Sequence, residues 1–264
     1  MTDVSTATAT SLTAGVEDDR RGPSRLRAVR AASTPLVLAL VLGGLYLWVH
    51  AQTLDSIEQR TLNRDYLTRA VAQQLEIAFL ASVLILAIAV PLGILLSRPA
   101  TRYAAPAFLV VANLGQALPA IGLLVMLTLT LGIGLKVALV CFVAYGVLPV
   151  LRNTIVGLQQ IDRDLIEAAR GIGMGPLRVL LRVELPLAVP VLLAGVRTTL
   201  VLTVGVATLA TFVNAGGLGD IIVNGLKLNR LAVEVTGAVL TMCVAFFVDW
   251  LARLGEDLLR PRGL

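Results

Sequence analysis

Histidine occurs once in this 264-residue chain, at His50, so one copy holds no multi-histidine metal site. Cysteine occurs twice, and Cys141 and Cys243 both sit inside apolar runs, where they read as small buried hydrophobes rather than a metal-ligand pair. The only lysines are Lys136 and Lys227. Neither follows a glycine, so the chain lacks the Gly-Lys-Ser/Thr step of a nucleotide-binding P-loop. Aromatic residues make up 5% and leave no cluster suited to an aromatic cage around a quaternary ammonium. Charged residues are 15%, against about 25% in soluble domains. A nucleophile–base pair has few candidates here, which disfavours a membrane-embedded protease or lipid transferase.

The chain has apolar residues in quantity: 57% are hydrophobic, too many for a soluble globule to bury. They fall in runs near 35–51, 76–97, 105–131, 135–151, 191–213 and 231–250. Each is near the length with which a helix crosses about 30 Å of hydrocarbon. The expected fold is all-α, a polytopic membrane bundle of about six spans. Residues 1–33 carry Arg20, Arg21, Arg25, Arg27 and Arg30 with no apolar period, and read as a disordered basic tail. Residues 34–52 then read as an uncleaved anchor helix rather than a signal-peptide core, with Tyr46, Trp48 and His50 near its interface. A polar segment at 53–75 precedes the core at 76–254, and a short tail at 255–264 follows it.

The net charge of +5 lies mostly between the apolar runs, so nucleic acid is a poor partner. With the N-terminus cytoplasmic, 15 Lys or Arg fall inside and 6 outside, while Arg197 lies within a span and reads as snorkelling to the interface, with a gate salt bridge as the alternative. That bias predicts cytoplasmic termini and places the longest connection, 152–190, in the cytoplasm. Within it, Asp162 and Asp164 suit a helix start. Leu165, Ile166, Ala169 and Ile172 share one helical face. Gly171, Gly173 and Gly175 end that helix, and Pro176 suits the start of a second. Two amphipathic helices around a glycine bend fit either a knob for a cytoplasmic partner or a pair lying on lipid headgroups.

The residues here resemble the ABC-transporter permeases. Their cytoplasmic signature is Glu-Ala-Ala, three residues, Gly, nine residues, then Ile-x-Leu-Pro. This chain has Glu167, Ala168, Ala169, Gly173, then Val183 in place of Ile, Leu185 and Pro186. The resemblance implies a type I importer permease fold and a coupling helix that docks on a separate ATPase subunit. ATP would bind to that partner, and this chain would be no enzyme. It also implies a second permease subunit, a copy or a paralogue, and an extracytoplasmic solute-binding protein. The stretches 113–124, 144–154 and 214–226 are similar to the permeases of osmoprotectant importers, which take up glycine betaine, choline, carnitine or proline. Where that family usually has Gln-Thr-Ile-Pro-Ser, this chain has Gln116-Ala117-Leu118-Pro119-Ala120, with two hydroxyls fewer. Permeases for methionine share the Ala-Gly-Gly-Leu-Gly run at 215–219 and stand as the nearer alternative.

Asn113, Gln116 and Pro119 recur at steps of three and are candidates to line a translocation pathway or to bond neighbouring helices. Asn214 and Asp220 flank a glycine turn expected at the outer face. Glu234 and Asp249 read as solvated residues near the ends of the last span. An ion-driven secondary transporter would want ionisable residues deep in the spans, and few are there.

Overall fold

The computed structural model describes the backbone of residues 22–259 and the side chains of residues 33–258. Among the described residues there are eleven α-helices and no strand. The first, α1, spans Gly22–His50 and so takes in 22–33, which the sequence suggested was tail. Alanine, leucine and arginine are strong helix formers, and no Gly or Pro interrupts 24–34. The remainder of that expected tail, 1–21, lies outside the described residues, as do 260–264.

The polar segment 53–75 is also largely helical. In α2 (Ser56–Thr61), Asp55 and Glu58 form a reciprocal capping box. Asn63 then caps α3 (Arg64–Leu96) by accepting the Tyr66 N–H at 2.9 Å. α3 has 33 residues, so it is about 50 Å long and outreaches the hydrocarbon.

The apolar run 105–131 is not one straight span. A 3₁₀ turn (Arg102–Ala104) leads into α4 (Ala105–Ala117), and α5 (Ala120–Leu131) leaves it after a bend of 98°. Pro119 has no N–H to continue the ladder and holds Leu118 extended, at ψ 142°. The following helix, α6 (Leu135–Gln159), runs eight residues beyond the span expected at 135–151, because Thr154, Ile155 and Leu158 still pack inward.

Next come α7 (Arg163–Gly171), α8 (Pro176–Val179), a π-helical turn (Leu180–Glu184) and α9 (Leu185–Ala207). The exposed bend is thus shorter than the expected connection of 152–190, both ends of which are continuous with spans. A 3₁₀ turn (Thr208–Val213), α10 (Leu218–Lys227) and α11 (Leu231–Leu259) complete the described chain. α11 therefore covers 255–259, the start of the expected C-terminal tail. Among the described residues, five helices are long and apolar enough to cross a membrane, and six crossings result if the bent pair α4–α5 forms one.

The core lies where α3, α6 and α9 pack together, around Ile85, Phe142, Val150 and Leu151. Small residues let the backbones approach, as in membrane bundles generally. A Cβ on Gly146 would stand 2.4 Å from Ile85 Cδ1, and one on Gly195 would stand 2.9 Å from the Pro149 carbonyl. Large apolar side chains such as Leu129, Val111 and Phe79 point outward, as lipid contact requires.

Candidate functional site

The connection between α6 and α9 is built from local signals. The Asp162 carboxylate caps α7 by accepting the Asp164 N–H at 3.0 Å. At the other end, Gly173 adopts φ +87°. Its N–H donates to the Arg170 carbonyl at 2.9 Å, and the Met174 N–H donates to the Ala169 carbonyl at 3.2 Å. These two bonds form a Schellman motif with Gly173 at C′. The five residues from Ala169 to Gly173 run from C3 to C′ of this motif, which explains the Glu-Ala-Ala-x₃-Gly spacing. Ala169 is buried, while Glu167 and Ala168 are exposed on the same helix. Leu185 and Pro186 are half-buried in the first turn of α9, where they anchor the bend to its span.

The bend displays apolar surface. Ile172 is 76% exposed and Leu177 67%, with Leu165 and Leu181 also exposed. Patches of this kind mark protein or membrane contacts. A pocket of about 670 Å³ lies behind α7, among Arg98, Arg163, Glu167, Arg170 and Glu184. A larger apolar groove, about 780 Å³, lies elsewhere, between α1, α3 and α11.

Buried polar contacts tie the bend to the bundle. Arg98, just past α3, donates two hydrogen bonds to Glu184, Nη2–Oε2 at 2.6 Å and Nη1–Oε1 at 3.2 Å. Glu184 is only 5% exposed and closes the π-helical turn. Arg197 does not snorkel as expected. It grips Asp249 of α11 through Nε–Oδ1 at 2.5 Å and Nη2–Oδ2 at 3.2 Å, and Arg253 shares that carboxylate. Asp249 is therefore an ion-pair partner rather than a solvated end residue. A charge at that depth is retained by pairing.

The expected pathway residues do not form one cluster. Asn113 is exposed on α4, and Gln116 donates its amide to the Tyr145 carbonyl of α6 at 2.7 Å. Pro119 lies beyond the end of α4, so it does not continue their face. Asn214 and Asp220 belong to a separate bend. There Asn214, Gly216 and Gly217 take φ of 55°, 83° and 100°. Two glutamines of α3 pin this bend. Gln73 Oε1 accepts the Gly217 N–H at 3.3 Å, and Gln74 Oε1 accepts the Leu218 N–H at 3.0 Å. Gln74 also donates to the Val204 carbonyl of α9 at 2.7 Å and is fully buried. Asp220 is half-buried in the first turn of α10, and Asn214 is exposed. Sequence reading missed Gln73 and Gln74; adjacent glutamines beside an apolar run were the available signal. It also missed Arg98 and Glu184, although Glu184 lies inside the recognised signature.

Comparison with known proteins places this architecture. Residues 89–260 match the family of binding-protein-dependent transport system inner membrane components. The chain belongs to that family. As such a permease it is the membrane component of an ABC importer, a system that also includes an ATPase and a solute-binding protein. It is 38% identical over 192 residues to a choline transport system permease of Bacillus subtilis, across 73% of this chain and 88% of that protein. It is 37% identical to a glycine betaine/carnitine/choline permease of the same organism, across 76% and 92% of the two chains. An osmoprotectant import permease of Salmonella typhimurium is 35% identical, across 81% and 89%. Among solved structures, an inward-facing MetNI methionine ABC transporter superposes with a TM-score of 0.64 at 26% identity, covering 74% of this chain and 96% of that one.

Proposed function

We propose that this permease forms the membrane path for a small osmoprotectant of the betaine, choline, carnitine or proline class. The identity of 35–39% to curated permeases for such solutes supports this cargo class. The likeness to the methionine transporter is more distant, which favours osmoprotectants over methionine. The charge bias of the connections supports cytoplasmic termini, and paralogous permeases within one organism support pairing with a second permease subunit.

The bend between α6 and α9 is the docking element for the ATPase. The observation that carries this reading is the exposed apolar surface of Leu165, Ile172, Leu177 and Leu181, held out by a glycine-ended helix with Glu167 on its rim. ATP binding on the partner draws the paired ATPases together, displaces the bend and shifts the bundle from inward-facing to outward-facing; hydrolysis resets it. The nucleotide drives the change because it binds the two states with different affinity. Asn113, Gln116, Pro119, Asn214 and Asp220 are the pathway candidates. With few aromatic residues available, they hold cargo weakly, and tight recognition belongs to the solute-binding protein.

Vesicles carrying the complete importer test this. Uptake of radiolabelled glycine betaine or choline that stops when Glu167→Lys is combined with Gly173→Asp, together with loss of the co-purifying ATPase, is the expected result. Normal uptake and normal ATPase retention in that double variant would contradict the docking role. Methionine uptake without any betaine or choline uptake would contradict the cargo.

A further inference from the structure

α3 and α9 are joined to each other at both ends, and each joint also holds a bend of the chain. At the cytoplasmic end, Arg98 makes its two-pronged contact with Glu184 in the turn between the docking bend and α9. At the other end, Gln74 donates to Val204 of α9 and accepts from Leu218, the first residue of α10. Gln73 of the same helix holds Gly217. Glu184 and Gln74 are both buried, so the Gln74 contacts are shielded from water, while Arg98, about a third exposed, leaves its contact with Glu184 partly open to it. Between the joints the two helices touch each other, and each packs more extensively against α6. A packed pair tied at both ends moves as one body rather than by bending.

We propose that α3 and α9 form a single lever, clamped by Arg98–Glu184 and by Gln74, that carries displacement of the ATPase-docking bend to the glycine turn before α10. Arg98, Glu184 and Gln74 are positioning residues in this scheme: they touch neither nucleotide nor cargo. Without the Arg98–Glu184 clamp, movement of the bend reaches α9 but not α3. Without Gln74, α3 moves but the glycine turn is released. Either lesion lets nucleotide turn over without reopening the outer side. The inference rests on the docking role proposed above.

The test uses the assembled importer with a reporter at the glycine turn. Both native cysteines are replaced by alanine, and half-buried Ala215→Cys is labelled with a membrane-impermeant maleimide, with and without a non-hydrolysable ATP analogue. In the otherwise unaltered protein, the analogue changes the labelling rate. In Glu184→Gln, which keeps side-chain shape and removes the charge, the ATPase stays bound and active. Its labelling response shrinks about tenfold, the coupling that one charge-assisted hydrogen bond can supply. Gln74→Asn, which draws the amide back by one methylene, gives the same phenotype. Exchanging the charges with Arg98→Glu and Glu184→Arg restores the response. A full labelling response in Glu184→Gln or Gln74→Asn overturns the lever, as does failure of the charge exchange to restore it. Loss of the ATPase from Glu184→Gln also overturns it, since Glu184 would then act in docking. The labelling needs no cargo, so it stands apart from cargo identity. Retention of the ATPase by the Glu167→Lys, Gly173→Asp variant strikes the docking role alone.

Discussion

Two bends of this molecule use the same device and put it to opposite ends. In the bend after α7, Gly173 takes a left-handed conformation, and a Cβ added there would meet nothing within 4 Å. In the bend before α10, Gly216 and Gly217 are also left-handed, yet the segment is pinned by two glutamines and Leu218 is fully buried. The first displays several apolar side chains; in the second Val213 and Leu218 are buried, though Phe212 stays half exposed. A glycine turn alone therefore does not distinguish an exposed apolar bend from a pinned one. The polar partners delivered by other helices make that distinction.

Substitutions at the two bends should separate them. The largest effect is expected at Gly219, where a Cβ would lie 1.9 Å from the Thr208 carbonyl oxygen. Because that neighbour is backbone, Gly219→Ala should cost about 3 kcal/mol, the upper end for overpacking, and lower the melting temperature of the detergent-solubilised protein sharply. Gln74→Leu comes next. It strands the buried Leu218 N–H, at about 1–3 kcal/mol, removes a donor from the Val204 carbonyl, and should speed amide exchange at Leu218. Gly173→Ala meets no clash, only left-handed strain of about 1–2 kcal/mol, so its melting point should fall less than that of Gly219→Ala. If the order of Gly173 and Gly219 were reversed, the contrast between the two bends would fail.

The smallest effect concerns a third turn, the one before α2. The Glu58 N–H holds the Asp55 carboxyl below its usual range, with help from the Arg230 guanidinium 2.6 Å away and the Ile57 N–H. A lowered carboxyl stabilises the fold at neutral pH, and that contribution is lost as pH falls through the folded-state value. Acidification below the ordinary carboxylate range should therefore speed exchange of the Ile57 and Glu58 amides, and Asp55→Asn should remove the pH dependence.

The contrast also shows what could be read in advance. The bend after α7 was legible because its signals are neighbours in the chain: Asp162 as cap, Gly173 as terminator and Pro176 as restart. The membrane spans were legible as apolar runs, but uniform apolarity hid the 98° break at Pro119 and the helical continuation of α6 to Gln159. The clamps were not legible, because their partners lie far apart in sequence. Gln74 meets Val204 across 130 residues, Arg98 meets Glu184 across 86, and Arg197 meets Asp249 across 52. An arginine in a span reads as snorkelling until its carboxylate is found. The pathway candidates suffered likewise, since Gln116 spends its amide on the Tyr145 carbonyl.

The neighbour that covers the bend after α7 decides whether it couples to an ATPase. A photo-crosslinking amino acid placed at exposed Ile172 in the assembled importer, and irradiated in intact membranes, tests this directly. A crosslink to the ATPase subunit that weakens when Gly173→Asp is added is the predicted outcome. Adducts confined to lipid, or labelling of that position from outside the cell, would contradict it.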